Sequence, residues 1–125
     1  MKQIINTKDA PQPIGPYSQA VKIDKTLFVS GQIAIDPSTG NLKLDNVYEE
    51  TTQIMKNIGA ILKAAGMDYS NIVKTTIFLT NMNNFSSVNE VYGSFFKSDF
   101  PARETVQVAR LPKDVNIEIS VTASE

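Results

Sequence analysis

The sequence predicts an α+β protein in which two helices pack on one face of a mixed, mostly antiparallel sheet. Three observations lead to this fold class. Apolar residues alternate at period two near both ends of the chain, as they do in half-buried strands. Two central segments instead space their apolar residues every three to four positions, as amphipathic helices do. A β-branched run at 72–79 lies between those two segments.

The N-terminal part reads as strands joined by ordered loops. Residues 2–6 can form a short first strand, and residues 9–16 hold three of the six prolines, which keeps them extended. Residues 17–23 and 26–30 then predict a hairpin that closes at Asp24 and Lys25. Residues 36–40 have the composition of a turn.

The first helix is predicted to start near Val47. Apolar side chains recur from there at positions 54, 55, 58, 61, 62 and 65, which is helical spacing. Asn46 or Asp45 can cap its start, and Gly66 ends it. We expect this apolar stripe to pack against the sheet.

A central strand and a second helix follow. Residues 72–79 suit a central strand, and residues 81–84 supply a turn and a helix cap. The buried face of the second helix is predicted from its spacing. It comprises Phe85, Val88, Tyr92, Phe95 and Phe96.

The C-terminal quarter is predicted to be a hairpin that carries a site. Its arms are residues 104–109 and 115–122, joined by a turn at 111–114. Val106 and Val108 would face the core together with the alternate apolar residues of the second arm. The opposite polar face would then hold Arg103, Thr105 and Gln107 beside Asn116, Glu118 and Ser120. This arrangement predicts a guanidinium and a carboxylate in one patch.

Composition excludes several kinds of chemistry. A chain of 125 residues suits one domain, 1–125, and a net charge of −1 with scattered lysines does not favour nucleic-acid binding. The absence of His and Cys excludes the usual zinc sites and thiol or Ser-His nucleophiles, and no phosphate-binding glycine pattern implies a cofactor. Without an apolar leader or a membrane-length apolar run, we expect a soluble cytoplasmic protein that does not bind membranes.

Arg103 and Glu118 are the strongest candidates for chemistry. Arginine is scarce, at ten Lys to two Arg, and its planar fork suits bidentate capture of a carboxylate. The alternative for Arg103 is a surface arginine paired with an exposed acid. Glu118 should point away from the core because Ile117 and Ile119 face it, and the alternative is an ordinary exposed strand glutamate.

Four separated motifs resemble one known family. They are Ala10-Pro11 with Ile14 to Ala20, Ser30 to Ile33, Asn84-Phe85 with Val88 to Tyr92, and Pro101 to Arg103 with Val108 to Asp114 and Ile117 to Ile119. Their order and content resemble the reactive intermediate (imine) deaminase family, RidA, over essentially the whole chain. Two positions depart from that pattern: Thr105 stands where many relatives have cysteine, and Glu104 stands where serine is frequent.

The resemblance implies a fold, an assembly and an activity. It implies a chorismate-mutase-like fold, a homotrimer with sites between subunits, and cofactor-free hydrolysis of 2-iminobutanoate and 2-iminopropanoate to 2-oxo acids. Glu118 would activate water and Arg103 would hold the substrate carboxylate. Tyr17, Ser30, Gly31 and Asn89 would complete the pocket, and no metal is implied. The alternative is a non-catalytic module that binds 2-oxo acids and regulates a partner protein.

Overall fold

A computed structural model describes residues 1–125 as one six-stranded sheet with two α-helices. Three short 3₁₀ turns lie at Tyr69–Asn71, Met82–Asn84 and Pro112–Asp114. The strands and helices run along the chain as β1 (Lys2–Ile5), β2 (Ala20–Ile23), β3 (Thr26–Gln32), α1 (Val47–Ala64), β4 (Ile72–Leu79), α2 (Phe85–Gly93), β5 (Ala102–Gln107) and β6 (Ile117–Ser124).

The sheet is mixed and mostly antiparallel, as predicted. Its strand order is β1-β2-β3-β6-β4-β5, and only the pair β4 and β5 is parallel. The connection from β4 to β5 runs through α2, because parallel neighbours need a crossover rather than a tight turn. The sheet therefore ends at β1 on one edge and at β5 on the other.

The predicted C-terminal hairpin is wrong. β5 and β6 are consecutive in sequence, but β4 lies between them and pairs with both. The strand β4 has hydrogen-bonded neighbours on both sides, and its β-branched and apolar residues suit such an interior position. β5 is consequently an edge strand with a partner on one side only.

Both helices pack on one face of the sheet, and the core lies between the layers. Ile54 and Ile58 of α1 meet Ile117 and Ile119 of β6, and all four are fully buried. The other face has no helix over it. Phe28 is 51% exposed there, and Val106 is 40% exposed. Val106 was expected to face the core and does not.

The predicted ends of α1 are confirmed. The Asn46 side chain accepts a hydrogen bond of 2.9 Å from the Glu49 amide, and Gly66 follows the helix with a φ of +75°. This left-handed conformation favours glycine.

Neither α-helix has the length and apolar character that crossing a membrane requires.

The second helix is shorter than its apolar pattern predicts. α2 ends at Gly93, so Phe95 and Phe96 follow it and pack against the core from the next turn. Phe85 was expected to be buried but is 37% exposed. Its ring has a different contact, with an arginine of β5, described below.

Candidate functional site

Glu118 lies on the face of the sheet that no helix covers. Its neighbours Ile117 and Ile119 are fully buried on the helix side, so strand alternation turns the Glu118 side chain the other way. There it reaches a cavity of about 440 Å³. The prediction that Glu118 points away from the core is confirmed.

The same cavity brings together three other predicted site residues. Tyr17, Ser30 and Gly31 line it with Glu118, although they are distant in sequence. Much of the remaining wall is apolar or amide in character. It consists of Pro11, Gln12, Ile14, Gln19, Gln32, Ile33, Ile35 and Pro112.

Gly31 is in unusually close contact with the Glu118 carboxyl group. A Cβ atom at position 31 would lie 2.5 Å from Glu118 Oε2 and 2.8 Å from Cδ. Such distances are well inside van der Waals contact. Glycine at this position therefore gives the carboxylate the space that it occupies.

Buried hydrogen bonds hold the walls of this cavity. The Gln19 side chain is 1% exposed, accepts from the Thr7 amide and donates to the Ala10 and Pro11 carbonyls, which fixes the proline-rich loop. The Ser30 hydroxyl donates to the Ser18 carbonyl at 2.6 Å. The loop and β3 are thus joined along one side of the cavity.

Burial raises the pKa of the Glu118 carboxyl above its usual value. The half-buried group loses hydration, and no cation or hydrogen-bond donor of the chain compensates for that loss. A carboxyl group with a raised pKa exchanges protons nearer neutral pH, as a general base and acid must.

Arg103 lies on the opposite face of the sheet, under α2. Its guanidinium donates to Asn89 Oδ1 at 2.6 Å, and its Cζ lies 5.3 Å from the Tyr92 ring centroid and 5.6 Å from that of Phe85. A cavity of about 430 Å³ opens beside it, lined by Asn89, Tyr92, Gly93, Phe100, Pro101 and Arg103. The aromatic faces attract the cation and restrict its position.

Arg103 forms no ion pair within the chain, whereas Arg110 does. Arg110 donates through Nε and Nη2 to both carboxylate oxygens of Asp114, at 2.6 and 3.2 Å. The alternative of a surface arginine paired with an acid therefore describes Arg110 and not Arg103. The guanidinium N–H groups of Arg103 that do not donate to Asn89 can donate to the carboxylate of a ligand.

The predicted single polar patch is wrong, because one chain holds Arg103 and Glu118 on opposite faces. Arg103 is aligned with Thr75, a buried residue that Tyr92 reaches from α2, whereas Glu118 is aligned with Phe78 on the other face. The predicted site residues therefore lie in two separate groups, which we call half-sites. One contains Glu118, Tyr17, Ser30 and Gly31, and the other contains Arg103 and Asn89.

The aromatic residues beside Arg103 were missed as site residues. Phe85 and Tyr92 were assigned to the core because their spacing is helical. Counted from Phe85, Asn89 lies at i+4 and Tyr92 at i+7, so all three share one face of α2. A polar candidate on a supposed core face was the signal that this face also contacts Arg103.

The chain offers no obvious place for a metal ion. No group of three or more His, Cys, Asp or Glu side chains is arranged to hold one. The half-sites contain a carboxylate, a guanidinium, hydroxyls, amides and aromatic rings.

Comparison with known proteins places the chain in a family. The model of the family described as Endoribonuclease L-PSP matches residues 7–125. The human protein named 2-iminobutanoate/2-iminopropanoate deaminase is 54% identical over 123 residues, covering 98% of this chain and 90% of the human protein. The mouse protein of the same name is 50% identical over the same length.

Solved structures show the same fold. The structure of TdcF from E. coli with bound serine matches with a TM-score of 0.95 and 43% identity, covering 98% of both chains. RidA from an Antarctic Psychrobacter matches with a TM-score of 0.95 and 39% identity over 98% of this chain and 99% of that one. The chain therefore belongs to the Endoribonuclease L-PSP family, the RidA family whose motifs its sequence carries.

Proposed function

We propose that this protein hydrolyses small 2-imino acids, namely 2-iminobutanoate and 2-iminopropanoate, to 2-oxo acids and ammonia. The human and mouse relatives named 2-iminobutanoate/2-iminopropanoate deaminase are 54% and 50% identical to this chain over nearly its whole length. Such a reaction removes reactive enamine and imine intermediates of amino-acid metabolism. The observation that carries the proposal is the pair of half-sites: a carboxylate with a raised pKa in a cavity, and a guanidinium free of any acid partner.

The working site is formed between neighbouring subunits of a homotrimer. Within one chain the sheet separates Arg103 from Glu118, so a small substrate cannot contact both. The face that bears Glu118 also exposes Phe28 at 51%, Val106 at 40% and Tyr17 at 50%, an apolar surface typical of a protein interface. A second copy covering this face can bring its own Arg103 to the Glu118 cavity.

Arg103 binds the carboxylate of the substrate. Two parallel N–H bonds from a planar guanidinium fix both the position and the plane of a carboxylate. Asn89 holds one end of the guanidinium, and the Phe85 and Tyr92 rings hold its faces. The reactive carbon, one bond from the carboxylate, is then placed beside the Glu118 cavity.

Glu118 activates water and moves the protons. Its carboxylate takes a proton from a water molecule as the water oxygen bonds to the imine carbon, and it gives that proton to the imine nitrogen, which forms a tetrahedral amino alcohol. Glu118 then takes the hydroxyl proton and passes it to the amino nitrogen. The C–N bond breaks as the C=O bond forms, so ammonia leaves and the 2-oxo acid remains. The raised pKa suits a group that must both accept and donate this proton.

The other pocket residues have supporting roles. Gly31 gives the Glu118 carboxylate room and offers its backbone to the ligand, and Ser30 holds the strand end to Ser18. Tyr17 shapes the cavity beside Glu118, and Asn89 orients Arg103. The bound serine named for TdcF is an amino acid, which supports a small ligand with a carboxylate.

The non-catalytic regulatory alternative is not favoured. A module that only binds 2-oxo acids needs Arg103 but has no use for a half-buried carboxylate with a raised pKa. The deciding experiment is a coupled assay in which threonine dehydratase supplies the imine. We expect 2-oxobutanoate to appear faster than by spontaneous hydrolysis. An unchanged rate would refute the proposed activity.

Mixing inactive variants tests the shared site. Arg103→Ala and Glu118→Gln subunits should each be inactive alone but regain activity when unfolded and refolded together. After an equal mixture is refolded, about one interface in four, averaged over all cyclic trimers, joins an intact Arg103 to an intact Glu118. If each site used residues of one chain only, mixing would restore nothing.

A further inference from the structure

The helix α1 carries a buried polar stripe that the proposed chemistry does not use. Glu50, Gln53 and Asn57 lie at i, i+3 and i+7 spacing on one helix face, and they are 0%, 8% and 1% exposed. Buried polar side chains destabilise a fold unless hydrogen bonds satisfy them. All three are hydrogen-bonded, so their partners indicate what the stripe holds.

The Glu50 end of the stripe holds the start of β6. Its Oε2 accepts from the backbone amides of Asn116 and Ile117 at 2.9 and 3.0 Å, and its Oε1 accepts from the Asn116 side chain at 2.8 Å. Glu118 is the next residue along this strand. The carboxylate of α1 therefore fixes the backbone immediately before the proposed general base.

The Asn57 end of the stripe holds the opposite wall of the cavity. Its Nδ2 donates to the carbonyls of Ile33 and Ile35 at 3.2 and 2.9 Å, and both residues line the Glu118 cavity. Gln53 donates from Nε2 to Asn57 Oδ1 at 2.9 Å and orients that amide. One helix face thus holds both the strand that bears Glu118 and the segment after Gly31.

Because Gly31 and Glu118 are in close contact, the separation between β6 and the 31–35 segment determines where the Glu118 carboxylate lies. The carboxylate lies so close to Gly31 that a Cβ atom would be 2.5 Å from it. A small slide of β6 relative to the 31–35 segment would therefore displace the carboxylate. Apolar side chains would bury the same helix face, but hydrogen bonds are directional and add a constraint on where β6 and the 31–35 segment lie.

We infer that Glu50, Gln53 and Asn57 are positioning residues that set the separation between the Glu118 carboxylate and the 31–35 wall of the site. This inference rests on the proposed role of Glu118. The stripe acts through the backbone and does not touch the substrate. Its loss should lower kcat and leave KM nearly unchanged, because the substrate carboxylate is bound by Arg103 of the neighbouring half-site.

Two variants break the stripe at its two ends. Asn57→Leu keeps a similar size and removes the donors to Ile33 and Ile35, and Asn116→Asp replaces the donor to Glu50 by a second carboxylate. We expect each to lower kcat by about 10- to 100-fold, the scale of a misplacement near 1 Å. KM should stay within about three-fold of the wild-type value, since binding of the carboxylate is retained.

A reversed pair provides the rescue. In Glu50→Gln with Asn116→Asp, the Gln amide donates to the new carboxylate, so the contact is restored with its polarity exchanged and the net charge unchanged. Asn116→Asp alone would place two carboxylates together. Adding Glu50→Gln to Asn116→Asp should recover most of the kcat that Asn116→Asp loses, which additive effects would not produce.

Thr51→Val is the matched control. Thr51 is fully buried on the same helix, and its hydroxyl donates only to the Val47 carbonyl, away from both walls. It should lower the melting temperature and keep the wild-type kcat per folded protein. Glu118→Gln tests the underlying site separately, because full activity in that variant would refute the proposed base.

The outcomes distinguish a positioning role of the polar stripe from a purely structural one. Loss of kcat in the stripe variants, rescue by the reversed pair and an active Thr51→Val protein would support positioning. If Glu118→Gln is inactive but Asn57→Leu and Asn116→Asp keep the wild-type kcat while melting at lower temperature, the stripe is structural only. That result would overturn this inference and leave the proposed function intact.

Discussion

Replacing Gly31 by alanine should separate activity from stability. The added Cβ atom would lie 2.5 Å from Glu118 Oε2, 2.8 Å from Cδ and 3.1 Å from Cγ. Non-bonded heavy atoms rest at about 3.5–4.0 Å, so the carboxyl group has to move by about 1 Å. Because it is the end of a flexible side chain, rotation can provide that movement without shifting the strand.

The expected magnitudes follow from that displacement. Turning one side chain off its preferred rotamer costs about 0.5–1.5 kcal/mol, so the free energy of unfolding should change little. A displacement of about 1 Å in a catalytic group can lower the rate about 100-fold. We therefore expect Gly31→Ala to keep its melting temperature within a few degrees and lose most of its imine hydrolysis.

Gly59→Ala is the matched control, because it makes an equally close contact away from the site. A Cβ atom there would lie 2.2 Å from the Tyr69 hydroxyl, which donates to the Met55 carbonyl at 2.7 Å. The Tyr69 ring packs on Phe95 and Phe96 and has little room to move. This variant should lose about 1–3 kcal/mol of stability and keep its activity per folded molecule.

Thermal melting and the dehydratase-coupled assay on both proteins provide the comparison. Wild-type turnover in Gly31→Ala would show that the close packing of Glu118 on Gly31 has no catalytic role. Equal losses of stability in the two alanine variants would show that position 31 is an ordinary packing position.

The remaining predictions concern the charged groups and the assembly. Arg103→Lys should lose most activity despite its charge, because the lost fork bond costs about 1.5–3 kcal/mol, and a normal kcat/KM would remove Arg103 from the site. Glu118→Gln should still bind 2-oxobutanoate in calorimetry but not hydrolyse imine. A raised pKa in the folded state means that ionising Glu118 destabilises the fold, and this loss of stability develops as pH rises from the unfolded to the folded pKa. The melting temperature of Glu118→Gln should therefore be higher than that of the wild type at neutral pH and equal to it at acidic pH. The reverse order would contradict the burial of that carboxyl group. Light scattering should give a mass well above the 13.8 kDa of one chain, whereas a stable, active monomer would refute the shared site. Activity should survive EDTA, and a loss reversed by a divalent ion would contradict the proposed chemistry.

Local patterns predicted the individual elements well. The cap at Asn46, the apolar stripe and Gly66 predicted α1, and the β-branched run predicted β4 over its observed length. Alternation around Glu118 predicted its direction, since both neighbouring isoleucines are buried. These features depend on residues a few positions apart, and a short stretch of sequence contains all of that information.

Strand order and the faces of β5 required the tertiary structure. Alternation separates Arg103 and Thr105 from Glu104 and Val106, but it does not say which set meets the helices. Because β4 enters between β5 and β6, β5 becomes an edge strand under α2, and its polar set turns inward to Asn89 and the aromatic rings.

The sequence by itself therefore determined the helices, the strands and the chemical identity of the site residues, through periodicity, capping and motif content. Only the tertiary structure decided that Arg103 and Glu118 lie on opposite faces of one sheet. The physical reason is that strand pairing joins residues far apart in the chain, so local patterns do not contain the insertion of β4 between β5 and β6.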